Sequence, residues 1–248
     1  MIQWPAPKNI KAYCTTRYPG KSVDPYAEFN LALHVGDDKE CVLKNRQDLM
    51  QRANLPSTPK WLNQTHSNIA LLAETISSEL APNADASYTQ KPNEVCVVMT
   101  ADCLPILVTN KAGTEVAAIH AGWQGLAAGV IENTLLKLSS KPSELLIWIG
   151  PSIHQANYEV GEDFYMKFAE THSQKELNAA FVGAAGGRPL KWLANVPLLA
   201  VQRLIRLGVN IDNIYLSNEC TYANPEKYFS YRRDAATGRM ASLIWISL

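Results

Sequence analysis

The chain has 248 residues, and its 23 lysines and arginines balance 23 aspartates and glutamates, so it carries no formal net charge. At this length a fold buries roughly 70–75% of the surface its unfolded form exposes, so a full core is available without staples. The even charge balance, with no charge run, argues against a nucleic-acid stripe or a membrane-surface patch, and no apolar run reaches the length of a bilayer span. The N-terminal stretch has no apolar core behind a basic start, and five cysteines without a C-x-x-C read as reduced thiols. The expectation is a cytoplasmic protein whose partners are small molecules.

Lys11 to Thr15 reads as a strand and Arg17-Tyr18-Pro19-Gly20 as a turn. Asp37, with Glu40 three residues later, fits a capping-box spacing and predicts a helix to about Ala53. Val42, Leu43, Leu49, Met50 and Ala53 share one face of it. Arg46 falls on that face, either as a snorkelling edge residue or as a guanidinium aimed into a site, where its fork suits phosphate or carboxylate. Trp61 to Gln64 and Ile69 to Ala73 read as strands flanking a turn that holds His66. Asp85 to Thr89 precedes the central strands. Val95 to Met99 reads as a buried strand ahead of Cys103. Ile106–Thr109 and Glu115–His120 read as an antiparallel pair joined by the Lys111–Thr114 turn.

After His120, Gly122-Trp123-Gln124-Gly125 opens an amphipathic helix carrying Leu126, Val130, Ile131, Leu135 and Leu138. Leu145 to Ile149 is another buried strand, ended by Gly150-Pro151. Helical patterns follow at Glu162–Glu170 and Val196–Leu207, with a small-residue loop at Gly183–Pro189. Asn213–Leu216 and Ala241–Ser247 are late strands. Strands, some in hairpins, interleave with helices and no linker divides them. The class is α+β, mixed, with a single domain over residues 1–248.

His66, Cys103 and His120 are the candidate constellation, each on a turn or strand end. Catalytic zinc takes three protein ligands of these types and leaves a fourth position for water. The same residues also allow a Cys103 nucleophile with His120 as base and Asp102 or Asn218 as orienting group. The plainer reading makes Cys103 a small buried hydrophobe and His66 a surface group. The Gly122–Gly125 helix start could attract an anion, or the glycines could simply allow a tight turn. Arg232 and Arg233 follow aromatic residues and read as an exposed loop, and Trp123 or Phe229 could stack on a flat ligand. The five histidines, His34, His66, His120, His154 and His172, are too few for a multicopper set, although one copper remains compatible with imidazole and thiolate.

Taken together, TADCLPIL, AAIHAGWQGL, GPSI followed by YEVG, and the closing YFSYRRDAATGRMASLIW resemble the bacterial laccase-domain family. NLALHVGDD, Asn45-Arg46 and QTHS fit the same pattern, and the resemblance runs from about Arg17 to Trp245. That family was named polyphenol oxidase and is now described as purine nucleoside phosphorylase. The resemblance implies a four-layer α-β-β-α sandwich and zinc bound by His66, Cys103 and His120. It implies phosphorolysis of adenosine, inosine and S-methyl-5′-thioadenosine, with adenosine deamination in some members. Arg17, Arg46, Gln64, Arg232 and Arg233 become candidate phosphate or substrate contacts, and Cys103, His120 and Asp102 candidate catalytic groups, with Glu219 the other candidate acid. Gln124 departs from the pattern, standing where many relatives carry arginine.

Other readings share these residues. One is an amidase that edits peptidoglycan precursors by zinc-bound water or by Cys103 and His120. Another is a copper oxidase of phenols. A third is a scaffold whose zinc takes a fourth protein ligand from Cys14, Cys41, Cys96, Cys220 or another histidine. The expected partners are a nucleoside and phosphate, with no nucleic acid and no membrane, for a monomer or weak homodimer.

Overall fold

A computed structural model describes residues 1–77, 80–183 and 191–248. Numbered in chain order, the central strands β4 (Cys96–Thr100), β5 (Leu104–Asn110), β6 (Val116–Ala121) and β7 (Leu145–Ile149) are buried along their whole length. Such strands need cover on both faces. The fold supplies it with four layers.

β1 (Ile10–Cys14), β12 (Met240–Ile246) and β4 form an antiparallel sheet in that order. The second sheet runs β11 (Ile214–Leu216), β7, β5, β6, β3 (Ala86–Thr89), β2 (Ala70–Leu72). Its β11–β7 and β2–β3 pairs are parallel and the rest antiparallel. The two sheets face each other across Ala12, Val98 and Ile244 on one side and Leu107, Ala118 and Trp148 on the other. Helix α1 (Lys39–Arg52) covers the outer face of the small sheet, where Leu49 packs with Val97, Leu243 and Trp245.

On the outer face of the large sheet lie α2 (Trp123–Ala127), α3 (Val130–Leu135), α4 (Glu162–Ala169), α5 (Gln174–Ala180) and α6 (Val196–Arg206). They share one core with Ile106, Val108, Ile119 and Ile147. The result is the α-β-β-α sandwich. A small sheet of β8 (Glu159–Val160), β10 (Trp192–Ala194) and β9 (Phe181–Gly183) and a one-turn helix α7 (Tyr231–Asp234) complete it.

Several local expectations shift. The α1 cap is Asp38, whose carboxylate accepts from the Cys41 N–H at 2.8 Å. Asp37 is drawn away because Asn30 donates to it at 2.8 Å. Leu43 is exposed, and the buried face carries Asn45 in its place. That amide donates to the Glu28 and Asn30 carbonyls and accepts from Lys21 N–H, so it ties the 21–30 segment to the helix.

Trp61 to Gln64 forms no regular strand; only isolated bridges tie Lys60 to Cys96 and Asn63 to Asn83. The apolar stripe after Gly125 is buried as expected, but it splits into α2 and α3 at Gly129, whose φ is +89°. Helix α5 and the small third sheet have no counterpart among the predicted elements. The predicted Gly183–Pro189 loop begins at the last residue of β9, and its remainder lies outside the described residues.

Candidate metal centre

Hairpin register brings two of the three ligands together. Leu104 pairs with Ala121 and Pro105 with His120 in the antiparallel hairpin, so Cys103, just before β5, falls opposite Gly122 and diagonally across from His120. The third ligand, His66, sits on a loop with φ +60°. Two polar side chains hold that loop. Gln64 imitates a strand partner: its amide donates to the Met99 carbonyl and accepts from the Met99 N–H, each at 2.7 Å. Asp85 accepts from the N–H groups of Thr65 (3.2 Å), His66 (3.1 Å) and Ser67 (2.6 Å), and from the Ser67 hydroxyl (2.7 Å).

Asp85 also takes the Nδ1–H of His120 at 2.7 Å. With Nδ1 carrying the proton, Nε2 keeps its lone pair, the form in which imidazole ligates a metal. One buried carboxylate therefore orients both histidines. Burial pushes Asp85 up, but the hydrogen bonds from His120 and Ser67 and the His120 charge outweigh it and hold the carboxyl below its usual range.

The Gly122–Gly125 segment has a spatial reason. A Cβ at Gly122 would lie 2.4 Å from His66 Cδ2, and one at Gly125 would lie 2.6 Å from the Ser67 carbonyl oxygen. The start of α2 can pack on the His66 loop only because both positions lack a side chain.

The ligand atoms of His66, Cys103 and His120 all lie within 4.8 Å of one another, with Cys103 Sγ 3.7 Å from His66 Nε2. In a tetrahedral zinc site a sulfur and a nitrogen ligand sit about 3.5 Å apart, close to the Cys103–His66 separation, and the donor set fits that metal in type. Among the described residues no fourth protein ligand joins the group, so a four-coordinate metal held there would keep one position for a non-protein ligand. Burial pushes the Cys103 thiol up, but the His120 charge and hydrogen bonds from both histidines outweigh it and favour thiolate. Burial pushes His120 down, while Cys103 and Asp85 together raise it. Together these shifts favour a Cys103 thiolate paired with a protonated His120, and a metal bound there would displace the proton that His120 presents to the sulfur.

Two cavities open on the cluster. The larger, about 410 Å³, is bounded by the three ligands with His34, Gln64, Tyr231 and Arg239. The smaller, about 260 Å³, is bounded by His66 and Cys103 with Trp123, Ile153, Tyr158, Val196, Tyr231 and Arg232. A separate cavity of about 390 Å³ lies where β7 and β11 end, near His154 and Asn218, and none of the three ligands borders it. Asn218 is thereby placed away from the Cys103–His120 pair.

The predicted contact arginines divide. Arg17 donates from Nε and Nη2 to the Ala27 carbonyl and from Nη1 to that of Pro225. Arg233 is engaged by the carbonyls of Thr221, Tyr222 and Tyr228 and by Asp234. Both brace loops and border neither cavity. Arg46 donates from Nε to the Leu31 carbonyl and stacks on Trp61 at 3.8 Å, and burial pushes it down to about 10. Arg232 borders the smaller cavity, over the Tyr158 ring at 4.6 Å.

Asp102 has φ +87°, and its carboxylate accepts from Thr221 Oγ1 (2.6 Å), Ser230 Oγ (3.0 Å) and Arg232 N–H (2.6 Å). It pins α7 beside Cys103 and borders the smaller cavity, with all three of these donors coming from the 221–232 segment. Glu219 is held by Lys227 and Tyr228. Phe229 is core, whereas Trp123, stacked on Phe164, borders the smaller cavity.

Sequence reasoning missed Asp85, His34 and Arg239 as parts of the site. An aspartate between Ala84 and Ala86 at a strand start was the one local signal for the first. His34 and Arg239 lie inside NLALHVGDD and YFSYRRDAATGRMASLIW, but nothing in those stretches singled them out from their neighbours.

An α-β-β-α sandwich with a His-Cys-His cluster at the mouth of a central hairpin defines a protein with a three-ligand candidate metal centre. A family model described as multi-copper polyphenol oxidoreductase laccase matches residues 11–247, and the chain belongs to that family. It is 47% identical to a Haemophilus influenzae protein named purine nucleoside phosphorylase, over 98% of this chain and 96% of that one. It is 45% identical to purine nucleoside phosphorylase YfiH of Escherichia coli K12, over 98% of this chain and 97% of that protein. The crystal structure of a Neisseria meningitidis protein superimposes with a TM-score of 0.92 at 43% identity, covering 99% of this chain and 98% of that one. YlmD from Geobacillus stearothermophilus follows with 0.85 at 26% identity, covering 97% and 93%.

Proposed function

We propose that the protein is a purine nucleoside phosphorylase working with zinc held by His66, Cys103 and His120, and that adenosine, inosine and S-methyl-5′-thioadenosine are its substrates. The observation that carries this reading is the three-ligand cluster standing where two cavities meet, in a chain whose near relatives bear the phosphorylase name. When bound, the metal supplies a Lewis acid with an open position for an oxygen of the substrate or phosphate. The chain's own residues do the rest. Asp85 keeps Nδ1 of His120 protonated and the ring in place. Gln64 holds the His66 loop on β4. Asp102, engaged by Thr221, Ser230 and Arg232, acts as a positioning residue that fixes the bend carrying Cys103.

A multicopper oxidase does not suit these residues, because His154 and His172 lie outside the cluster and a copper set needs many more imidazoles. No helix among the described residues is long and apolar enough to cross a membrane.

The test is to incubate zinc-loaded protein with adenosine, with and without phosphate, and separate the products. Phosphate-dependent adenine and ribose 1-phosphate are expected. Inosine would mean deamination. If neither appears at full metal occupancy the nucleoside reading falls, and an aminoacyl-linked muramyl nucleotide becomes the substrate to try. Cys103→Ser is expected to lose metal and activity together; full activity in that variant would remove the metal from the reaction.

A further inference from the structure

Arg239 borders the larger cavity and Arg46 acts on His34 from behind it, and among the described residues neither forms an ion pair. The Nη1 of Arg239 donates to the carbonyls of Thr237 and Gly238 at 2.9 and 3.0 Å. Among the described residues its other side-chain donors meet no acceptor. Both arginines are partly buried, and burial lowers the pKa of each. His34, exposed on the same cavity, is pushed down first by burial and then by these two charges, which disfavours its protonated form. The negative groups that act on Arg239 (Cys103 and Asp102) belong to the cluster and to the anchor of α7, so its unengaged donors are open to a ligand's anion.

The other cavity has the opposite character. Trp123, Ile153, Tyr158 and Val196 give it flat and apolar walls. Its one guanidinium, Arg232, is engaged by the Glu159 carbonyl and lies over Tyr158. His66, Cys103 and Tyr231 border both cavities. The centre therefore has an anion-seeking side and an aromatic side.

We propose that Arg239 and His34, with the charge of Arg46 behind them, form the subsite for inorganic phosphate, and that the purine sits across the cluster in the Trp123–Tyr158 cavity. This rests on the phosphorylase reading. In the reaction an oxygen of hydrogen phosphate bonds to the ribose C1′ as the C1′–N9 bond breaks. The electron pair of that bond goes to the base, and the proton of the phosphate leaves with it. The products are ribose 1-phosphate and free base. Arg239 would offer its fork to two phosphate oxygens, a geometry that lysine lacks.

The test measures binding of inorganic phosphate to zinc-loaded protein by calorimetry, and KM for phosphate and for adenosine separately. Arg239→Gln is expected to weaken phosphate binding and raise its KM by ~10-fold or more, the loss of a charge-assisted pair, while the adenosine KM stays within about twofold. Arg239→Lys should fall between, which guards against a glutamine variant that misfolds. Trp123→Leu, checked by circular dichroism, should raise the adenosine KM and spare the phosphate KM.

Unchanged phosphate binding in a folded Arg239→Gln, or no phosphate binding by the wild type, overturns the subsite. Weaker AMP binding with intact inorganic phosphate binding also overturns it, since the anion would then belong to a nucleotide. If the wild type cleaves no nucleoside but binds phosphate through Arg239, the phosphorylase reading falls and the anion subsite stands.

Discussion

Asp85 and Asp102 flank the same cluster, and both are buried and ringed by donors, yet they hold different things. Asp85 grips the backbone of the His66 loop and the ring of His120. Asp102, although adjacent to Cys103 in sequence, grips Thr221, Ser230 and the backbone of Arg232. The first carboxylate sets ligand geometry, and the second sets where α7 sits. Adjacency in sequence and proximity to the chemistry are thus poor guides to a carboxylate's role; the identity of its donors decides it.

That contrast can be broken most directly at Asp85. Asp85→Asn removes the charge facing His120 and is expected to lower zinc affinity by roughly 10–100-fold, with a destabilisation of ~3 kcal/mol. Chelator competition and urea unfolding would measure the two. Zinc affinity equal to wild type would show that His120 needs no orienting partner.

Gly122→Ala attacks the same side sterically. Its Cβ would have to displace His66, which it would otherwise approach to 2.4 Å. Overpacking of this kind costs ~1–3 kcal/mol. Zinc affinity should fall by about 10-fold, close to the loss seen when a ligand's supporting contacts are removed. Unchanged affinity would mean the His66 loop moves aside freely.

On the other side, Asp102→Asn should cost about 1–3 kcal/mol in urea unfolding as hydroxyl and N–H donors lose their charged acceptor. Asparagine tolerates the positive φ, so zinc affinity should stay within about threefold. A loss as large as that of Asp85→Asn would erase the distinction between the two carboxylates.

The smallest effect sharpens the comparison by lying outside it. His172 is lowered by burial first and then by Arg206 and Arg203, and Arg206 Nη2 donates to its Nε2 at 3.0 Å. The fold therefore favours neutral His172. The unfolded chain gains a proton near pH 6.5 and the folded one only lower, so stability is lost as pH falls below about 6.5. His172→Gln should flatten that part of a urea-midpoint profile while zinc affinity at neutral pH stays put. An unchanged slope would mean that other groups dominate it.

Much of the layer structure was legible because burial leaves a periodic mark. The all-apolar runs at Val95–Met99 and Leu145–Ile149, and the stripe from Leu126 to Leu138, declare strands and helix faces without any partner being known. The metal ligands were legible as types: a cysteine and two histidines at turn and strand ends. That they converge follows from the Leu104–Ala121 register and from the folding of a distant loop onto Met99 through Gln64.

What the tertiary structure alone decided is the use made of each polar group. Arg17, Arg46, Arg233 and Arg239 look alike along the chain. Arg17 and Arg233 are engaged by carbonyls, whereas among the described residues Arg46 and Arg239 form no ion pair, and Arg239 borders the larger cavity. Asp85 sits 35 residues from His120 in the chain and 2.7 Å from it in space. The amino-acid sequence by itself determined which segments must be buried and which residue types could bind a metal, because hydrophobicity and donor chemistry belong to single residues. Partnership does not: a hydrogen bond or an ion pair exists only once two distant segments are packed, so the roles of Asp85, Asp102 and the arginines were settled by the fold.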